Sequence, residues 1–570
     1  MNVIYADVLV VGGGGAADRA AIEAHDGGAE VIMATKGRLG ASGATAAALA
    51  DVAGLAVADK ALDPADAPEF HSRDILEAGL GMCDQKLVRI LTEEAPQTIP
   101  DLEKWGVHFE RDGAGKYLIT KACFSSRARN YKLMGHGKKI TDALTAQIRK
   151  RNIRVLEETM LVDVLCRDGA AGGAVLLQSD GTILLIAAAQ VILATGGAGE
   201  LFHFNMNPPD ITGDGCAAGF RAGAQLFNTE FIQYGFGTLP RKSVFAFWLW
   251  AFHPLLTNGR GEEFLEKYLP DGIAADMAMD EHGEHFPFSN RLVSRCLEIA
   301  VHREIGEGRS SANGGVYADF RGKLHERGDL PDTARKLWRT TRDWYMSIGM
   351  PMDEKPVEMA LYAHAMNGGL RVDENGETRV RGLFAAGECA SGPHGADRLG
   401  GGMLTACQVF GKRAGRAAAA RREKSEISPF MKTQYEEIER IVSDFRAAKN
   451  DTPVPLSGLR GKIQDFSAKY LMLDRNDSGL RTYLGHLDAL EEELRKSAKV
   501  ETNLDLFNAL ELRNLILVGR IMAEAAMARK ETRGSHLRTD YPHMDGETRW
   551  ILVDKSETGL PRANWTTPAE

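Results

Sequence analysis

No two of the seven cysteines, at 83, 123, 166, 216, 296, 389 and 407, form a CxxC pair. That excludes a disulfide framework and the ligand spacing of zinc or iron–sulfur sites, so no metal is expected and a reducing compartment is. Basic residues form no block interleaved with aromatics, and the formal net charge is -9. Nucleic acid is therefore not an expected partner. The longest apolar run, VFAFWLWAFHPLL from Val244 to Leu256, falls short of the ~20 residues that span a bilayer. It is expected in a core or a buried interface. The chain opens almost at once on a strand, without a basic region, an apolar core and a cleavage site. The expectation is a cytoplasmic protein, with any membrane association supplied by a partner. Internal repeats and long low-complexity tracts are also missing.

What is present begins with size. A chain of 570 residues, 44% hydrophobic and 26% charged, has the composition of a globular protein and the length of two to four domains. Near its start, the run Val8 to Val11 leads into Gly12, Gly14 and Ala17 at Gly-x-Gly-x-x-Ala spacing, with Gly15 inside the turn. A helix and a second strand, Ala29 to Ala34, are expected to follow. This is a dinucleotide turn in its context of strand, turn and helix, shared by nicotinamide and flavin dinucleotides. An acidic residue at the end of the second strand would hold a ribose hydroxyl, but Ala34, Thr35 and Lys36 stand there, which disfavours a simple NAD enzyme.

A second such turn lies at 382 to 415, GLFAAGECASGPHGADRLGGGMLTACQVFGKRAG. A strand from Leu383 to Ala386, a loop with His394, Asp397 and Arg398, three glycines and a long helix are the parts of an anion site. Between the two turns, three β-rich runs from Arg154 to Val191 read as a meander. Asp214, at the start of the helix CAAGFRAGAQLF, reads as an N-cap or as a contact to a nucleotide. Helical spacing of apolar residues marks Arg291 to Gly306, Leu330 to Met346, Gln434 to Ala448, Leu459 to Met472 and Leu506 to Lys530,. The last residues, TTPAE, read as frayed.

Taken in order, the first turn, Thr35-Lys36, ILATGGAG (192 to 199), TGDGCAAGFRAGAQL (212 to 226), HAMNGG (364 to 369), HGADRLGG (394 to 401) and ARKETRGSH (528 to 536) resemble the succinate dehydrogenase and fumarate reductase flavoprotein family. L-aspartate oxidase and the alpha chain of adenylylsulfate reductase belong to the same family. The resemblance implies an α/β chain, α+β overall. Its parts are a Rossmann-like FAD domain (1–230 and 353–425), an inserted capping domain (231–352), a C-terminal helical domain (426–545) and a tail (546–570). It also implies FAD held by Gly12, Gly14, Gly15, Ala17, Thr35, Lys36, Ser42, Gly43, Thr45, Ala194, Thr195, Gly196, Asp214, Glu388, Arg398, Met403 and Leu404. The loop 39 to 54 contains no histidine, so the flavin is expected without a covalent bond. Within that loop the alanines are expected to continue as a helix.

For the chemistry, the resemblance implies Arg291 as acid and base at the substrate carbon, and His364 and Arg398 as ligands of a small carboxylate. Without it, Arg291 reads as a solvated helix residue, His364 as a satisfied core histidine and Arg398 as an ion pair with Asp397. Electrons would pass to a ferredoxin-like iron–sulfur partner. The chain departs from the family at IQYGFG (232 to 237), where Gly235 replaces a histidine, and lacks counterparts of the TEG and RGEGG segments. Its aromatic run and SGATAAAL loop look more like adenylylsulfate reductase, whereas GADRLGG, ELRN (511 to 514) and ARKETRG look more like succinate dehydrogenase. Two other readings stay open: an enzyme of a sulfur compound or another non-dicarboxylate, and an electron-relay flavoprotein without catalysis.

Overall fold

The computed structural model describes residues 2–47, 54–285, 287–323, 332–421, 426–447 and 453–568. Five parallel strands carry the site, in the order Leu383–Ala385, Gln190–Leu193, Val8–Val11, Val31–Ala34, Arg154–Leu156. The first four are continuously apolar or nearly so and wholly buried, as a sheet covered on both faces requires,. Helices Gly15–Asp26 and Gly402–Ala420 each follow one of these strands, so their N-termini open at the same sheet edge,. The two helices touch backbone to backbone. A Cβ at Gly415 would fall 2.3 Å from the Ala20 carbonyl oxygen, and one at Gly411 would fall 2.7 Å from that of Ala16.

The stretch Arg154 to Val191 is divided between two sheets. Thr159–Arg167, Ala170–Gln178 and Ile183–Ala187 form the antiparallel meander, extended by Asn2–Tyr5. Its outer runs, Arg154–Leu156 and Gln190–Leu193, join the parallel sheet instead. A further sheet, in the order Ile232–Leu239, Val357–Met366, Val316–Asp319, Leu255–Thr257, bears His364 and Gln233. Around it lie helices Ala275–Glu284, Arg295–Gly306 and Asp332–Ser347. Arg291 is therefore not helical: residues 291–294 form turns before the helix begins at Arg295. The expected helix start at Leu330 lies outside the described residues.

At the C-terminus four helices pack together: Pro429–Ala447, Leu456–Tyr470, Asp477–Ser497 and Asn503–Ala528. The last begins at a reciprocal capping box in which Thr502 and Asp505 satisfy each other's backbone N–H groups,. Residues 546–568 are no loose tail. Trp550–Lys555 and Pro561–Thr566 form a hairpin whose first strand pairs with Leu226–Phe227, returning the chain end to the N-terminal half of the chain. Residues 569–570 lie outside the described residues. Among the described residues no helix is long and apolar enough to cross a membrane.

Candidate active site

A cavity of about 390 Å³ opens along the edge where the two dinucleotide turns meet. At one end the turn is shaped by sterics. Gly12 has φ +132°, and a Cβ there would lie 2.2 Å from the Ala194 carbonyl oxygen, so only glycine lets the ends of Val8–Val11 and Gln190–Leu193 meet,. Gly14 caps the helix Gly15–Asp26 without a side-chain hydrogen bond and has open space where a Cβ would be. The first N–H groups of that helix thus face the cavity, with the positive end of its dipole behind them. Ser42 Oγ–H and the Gly43 N–H both donate to Asp210 Oδ2, at 2.5 and 3.0 Å, which pins the small-residue loop beside this turn. Residues up to 47 in that loop form turns, and 48–53, where a helix was expected to continue, lie outside the described residues.

The cavity wall contains Gly12, Gly14, Gly15, Thr35, Lys36, Ser42, Gly43, Thr45, Ala194, Thr195, Gly196, Asp214, Glu388, His364, Arg398, Met403 and Leu404. Ala17 is absent from the wall: it packs beneath the turn, where a Cβ on Gly12 would meet its own at 3.2 Å. Asp214 is the first residue of its helix and makes no cap, since Gly213 occupies that position. Its carboxylate instead accepts from Lys36 Nζ at 2.9 Å, Thr212 Oγ1 at 2.9 Å and Asn514 Nδ2 at 2.9 Å. Glu388 Oε1 accepts the Met366 N–H at 2.9 Å, and burial raises its pKa against the pull of that N–H and of Arg398.

At the other end Arg398 is buried, and it does not pair with its neighbour Asp397. Its Nε donates to Gln233 Oε1 at 2.8 Å, Nη2 donates to the same oxygen, and Nη1 donates to the Leu399 carbonyl at 3.1 Å. Gln233 returns a bond from Nε2 to the Arg398 carbonyl at 3.0 Å. Among the described residues the guanidinium makes no ion pair. Burial lowers its pKa to about 10, with Glu388 opposing through space. His364, on the adjoining strand, is pushed down to about 3 by burial and by the Arg398 charge, so it is neutral. The same cavity wall also contains Val244, Phe247, Trp248, Pro287, Leu337 and Tyr362.

Arg291 is not in the wall. It is exposed, donates from Nη1 to the Glu77 carbonyl at 3.0 Å, and lies over the Phe124 ring at 5.0 Å. Local sequence gave no sign of Gln233, Asp210 or the Ser289–Asp397 contact. Their partners come from distant segments.

The profile of the FAD binding domain family matches residues 7–404, and that of the Fumarate reductase flavoprotein C-term matches 460–564. An uncharacterised FAD-dependent oxidoreductase of Methanocaldococcus jannaschii is 33% identical, covering 97% of this chain and 96% of its own. The chain belongs to the fumarate reductase and succinate dehydrogenase flavoprotein family. One subunit of the fumarate reductase (CoM/CoB) of Methanothermobacter marburgensis is 32% identical, over 96% of this chain and 97% of its own. A solved Escherichia coli quinol fumarate reductase chain superimposes with a TM-score of 0.82 at 27% identity, covering 100% of this chain and 99% of its own.

The residues present fit the FAD of this flavoprotein family. Open space beside Gly14, a helix N-terminus whose N-cap supplies no side-chain acceptor, with the Gly15 N–H at 3.4 Å from Thr45 Oγ1, and the buried, unpartnered Thr35 hydroxyl make a polar cradle for a dinucleotide. No histidine stands at 39 to 54. Acid precipitation is accordingly expected to release all the flavin into the supernatant, read by its absorbance, whereas colour kept in the pellet would mean a covalent link.

Asp397 gives this flavoprotein a pH dependence of its own. Its Oδ2 accepts from Ser289 Oγ at 2.6 Å while Oδ1 is buried without a partner. Burial raises the carboxyl to about 7, against the Ser289 hydroxyl and the nearby Arg291 charge; an unfolded aspartate gives up its proton near 3.8. Between those values the folded chain binds more protons than the unfolded one, so this group's contribution to stability falls as pH rises from about 4 to 7 and is flat above. Asp397→Asn should raise the melting temperature at pH 8, with the gain shrinking toward pH 4. A pH-independent offset in the melting curves would contradict this.

Proposed function

We propose that this flavoprotein reduces or forms the carbon–carbon double bond beside a single carboxylate, in an organic acid whose other end is apolar. Bound FAD supplies or accepts the hydride at N5. The observation that carries the reading is Arg398, a buried cation whose protein partners are all neutral oxygens, in a cavity whose wall also holds Phe247, Trp248 and Leu337. A carboxylate seated there gains a charge-assisted, two-pronged partner in a water-poor site. Neutral His364 donates an N–H alongside without adding a second charge. Gly235, in place of a histidine, offers no donor for another carboxylate, and a buried carboxylate without donors is costly. Apolar substituents instead gain contact with Phe247, Trp248 and Leu337.

By resemblance, Arg291 is the proton donor, reaching in from the rim. Electrons would be exchanged with a separate ferredoxin-like iron–sulfur protein. The naming of one relative as a subunit of a larger enzyme supports this.

Ligand-induced changes in the visible flavin spectrum test the pocket. 3-Phenylpropanoate should perturb the oxidised holoprotein at concentrations at least tenfold lower than succinate. Tighter binding of succinate would overturn the one-carboxylate reading.

A further inference from the structure

The motif ELRN lies in the C-terminal helix Asn503–Ala528, far in sequence from the dinucleotide turns, yet it reaches the nucleotide end of the cavity. Glu511 Oε1 takes the ammonium of Lys36 at 2.8 Å, and Asn514 Nδ2 donates to Asp214 Oδ1 at 2.9 Å. Lys36 thereby has three partners, the others being Thr212 Oγ1 at 2.5 Å and Asp214 Oδ2 at 2.9 Å. An ammonium has three N–H donors, so all of them are spent within the protein. Although burial alone would lower its pKa, Asp214 and Glu511 together raise it, and Lys36 stays charged. Glu511 is held in turn by Arg460, which also reaches Glu200 Oε2 at 3.4 Å; Asn514 Oδ1 accepts from Arg221 Nη1 at 2.9 Å.

Lys36 and Asp214 belong to the cavity wall, whereas Glu511 and Asn514 do not. The structure assigns Glu511 and Asn514 as positioning residues for the adenosine half of FAD, acting from the C-terminal helical region through Lys36 and Asp214. The consequence is thermodynamic. FAD affinity and docking of the C-terminal helix are two readings of one coupling, so each strengthens the other. Replacing the Glu511 carboxylate by a neutral amide removes one of the two charges that balance a buried ammonium, which is then drawn toward Asp214 and shifts it from its alignment,.

This inference rests on the flavin reading but not on any substrate. The test follows FAD release from the holoprotein by flavin fluorescence on dilution. Glu511→Gln and Lys36→Met should each raise the dissociation constant about tenfold. The double variant should raise it no further than the weaker-binding single one, because both act through the same ammonium. Multiplying effects would show that Glu511 is merely structural, and an unchanged constant in Glu511→Gln would overturn the assignment. A measurement on the wild-type chain needs no variant: FAD should slow amide hydrogen exchange in the helix around residues 511–514, and equal exchange with and without FAD would also overturn it. Loss of the flavin reading itself would look different, since the purified wild-type chain would carry no flavin.

Discussion

Arg398→Gln is expected to lower kcat/KM by about 10²–10³-fold, the scale of losing one preorganised charge stabiliser in a water-excluded site. The guanidinium is a buried cation in the cavity wall, and its hydrogen bonds go to Gln233 and Leu399 rather than to an acid. Glutamine keeps an N–H donor near the level of Nε but loses the charge and the reach of the guanidinium fork. Flavin content should survive, because the nucleotide cradle is built from the other end of the cavity. Arg398→Lys separates charge from geometry: it restores the charge but not the fork, and should recover only part of the loss. Steady-state rates of both variants, with flavin per chain measured alongside, check this. Unchanged kcat/KM in Arg398→Gln would place the carboxylate elsewhere.

Arg291→Gln separates proton delivery from a role at the rim. If Arg291 delivers the proton, kcat should fall by roughly 10²–10⁴-fold with KM little changed, the cost of a lost general acid. Its present contacts, the Glu77 carbonyl and the Phe124 face, would have to be given up for that step. A guanidinium is a poor acid unless its proton is replaced, so a solvent isotope effect on kcat should accompany the step. A variant within a few-fold of wild type would make Arg291 a rim residue and require another donor.

Sequence carried the parts of this site where backbone geometry dictates residue type. Gly12 could be read because no other residue fits beside the Ala194 carbonyl, and Thr35 and Ala194 followed from the order of motifs. Hydrogen-bond partners were a different matter. Lys36 and Asp214 suggested cofactor contacts by position, yet their bonds run to each other and to Glu511 and Asn514, with Asp214 and Asn514 standing 300 positions apart. No local pattern reports such a pairing. Arg398 looked ready to pair with adjacent Asp397, but consecutive loop residues turn to different partners, one to Gln233 and the other to Ser289. The helix Asp477–Ser497 was overlooked although Leu480, Tyr483, Leu487, Leu490 and Leu494 have helical spacing and are all buried,. Arg291 shows the reverse error. Its apolar neighbours continue a helical pattern, but the helix starts only at Arg295.

Anaerobic stopped-flow reoxidation of the reduced holoprotein tests the central claim most directly, because return of the flavin's yellow absorbance reports hydride leaving for the added compound. Cinnamate, with one carboxylate and an aryl group, and fumarate, with two carboxylates, differ in the features that Arg398 and the aromatic wall discriminate. The account predicts reoxidation by cinnamate at least 10²-fold faster than by fumarate. Reoxidation by fumarate near the ~10 s⁻¹ typical of enzymes, with cinnamate inert, would contradict it.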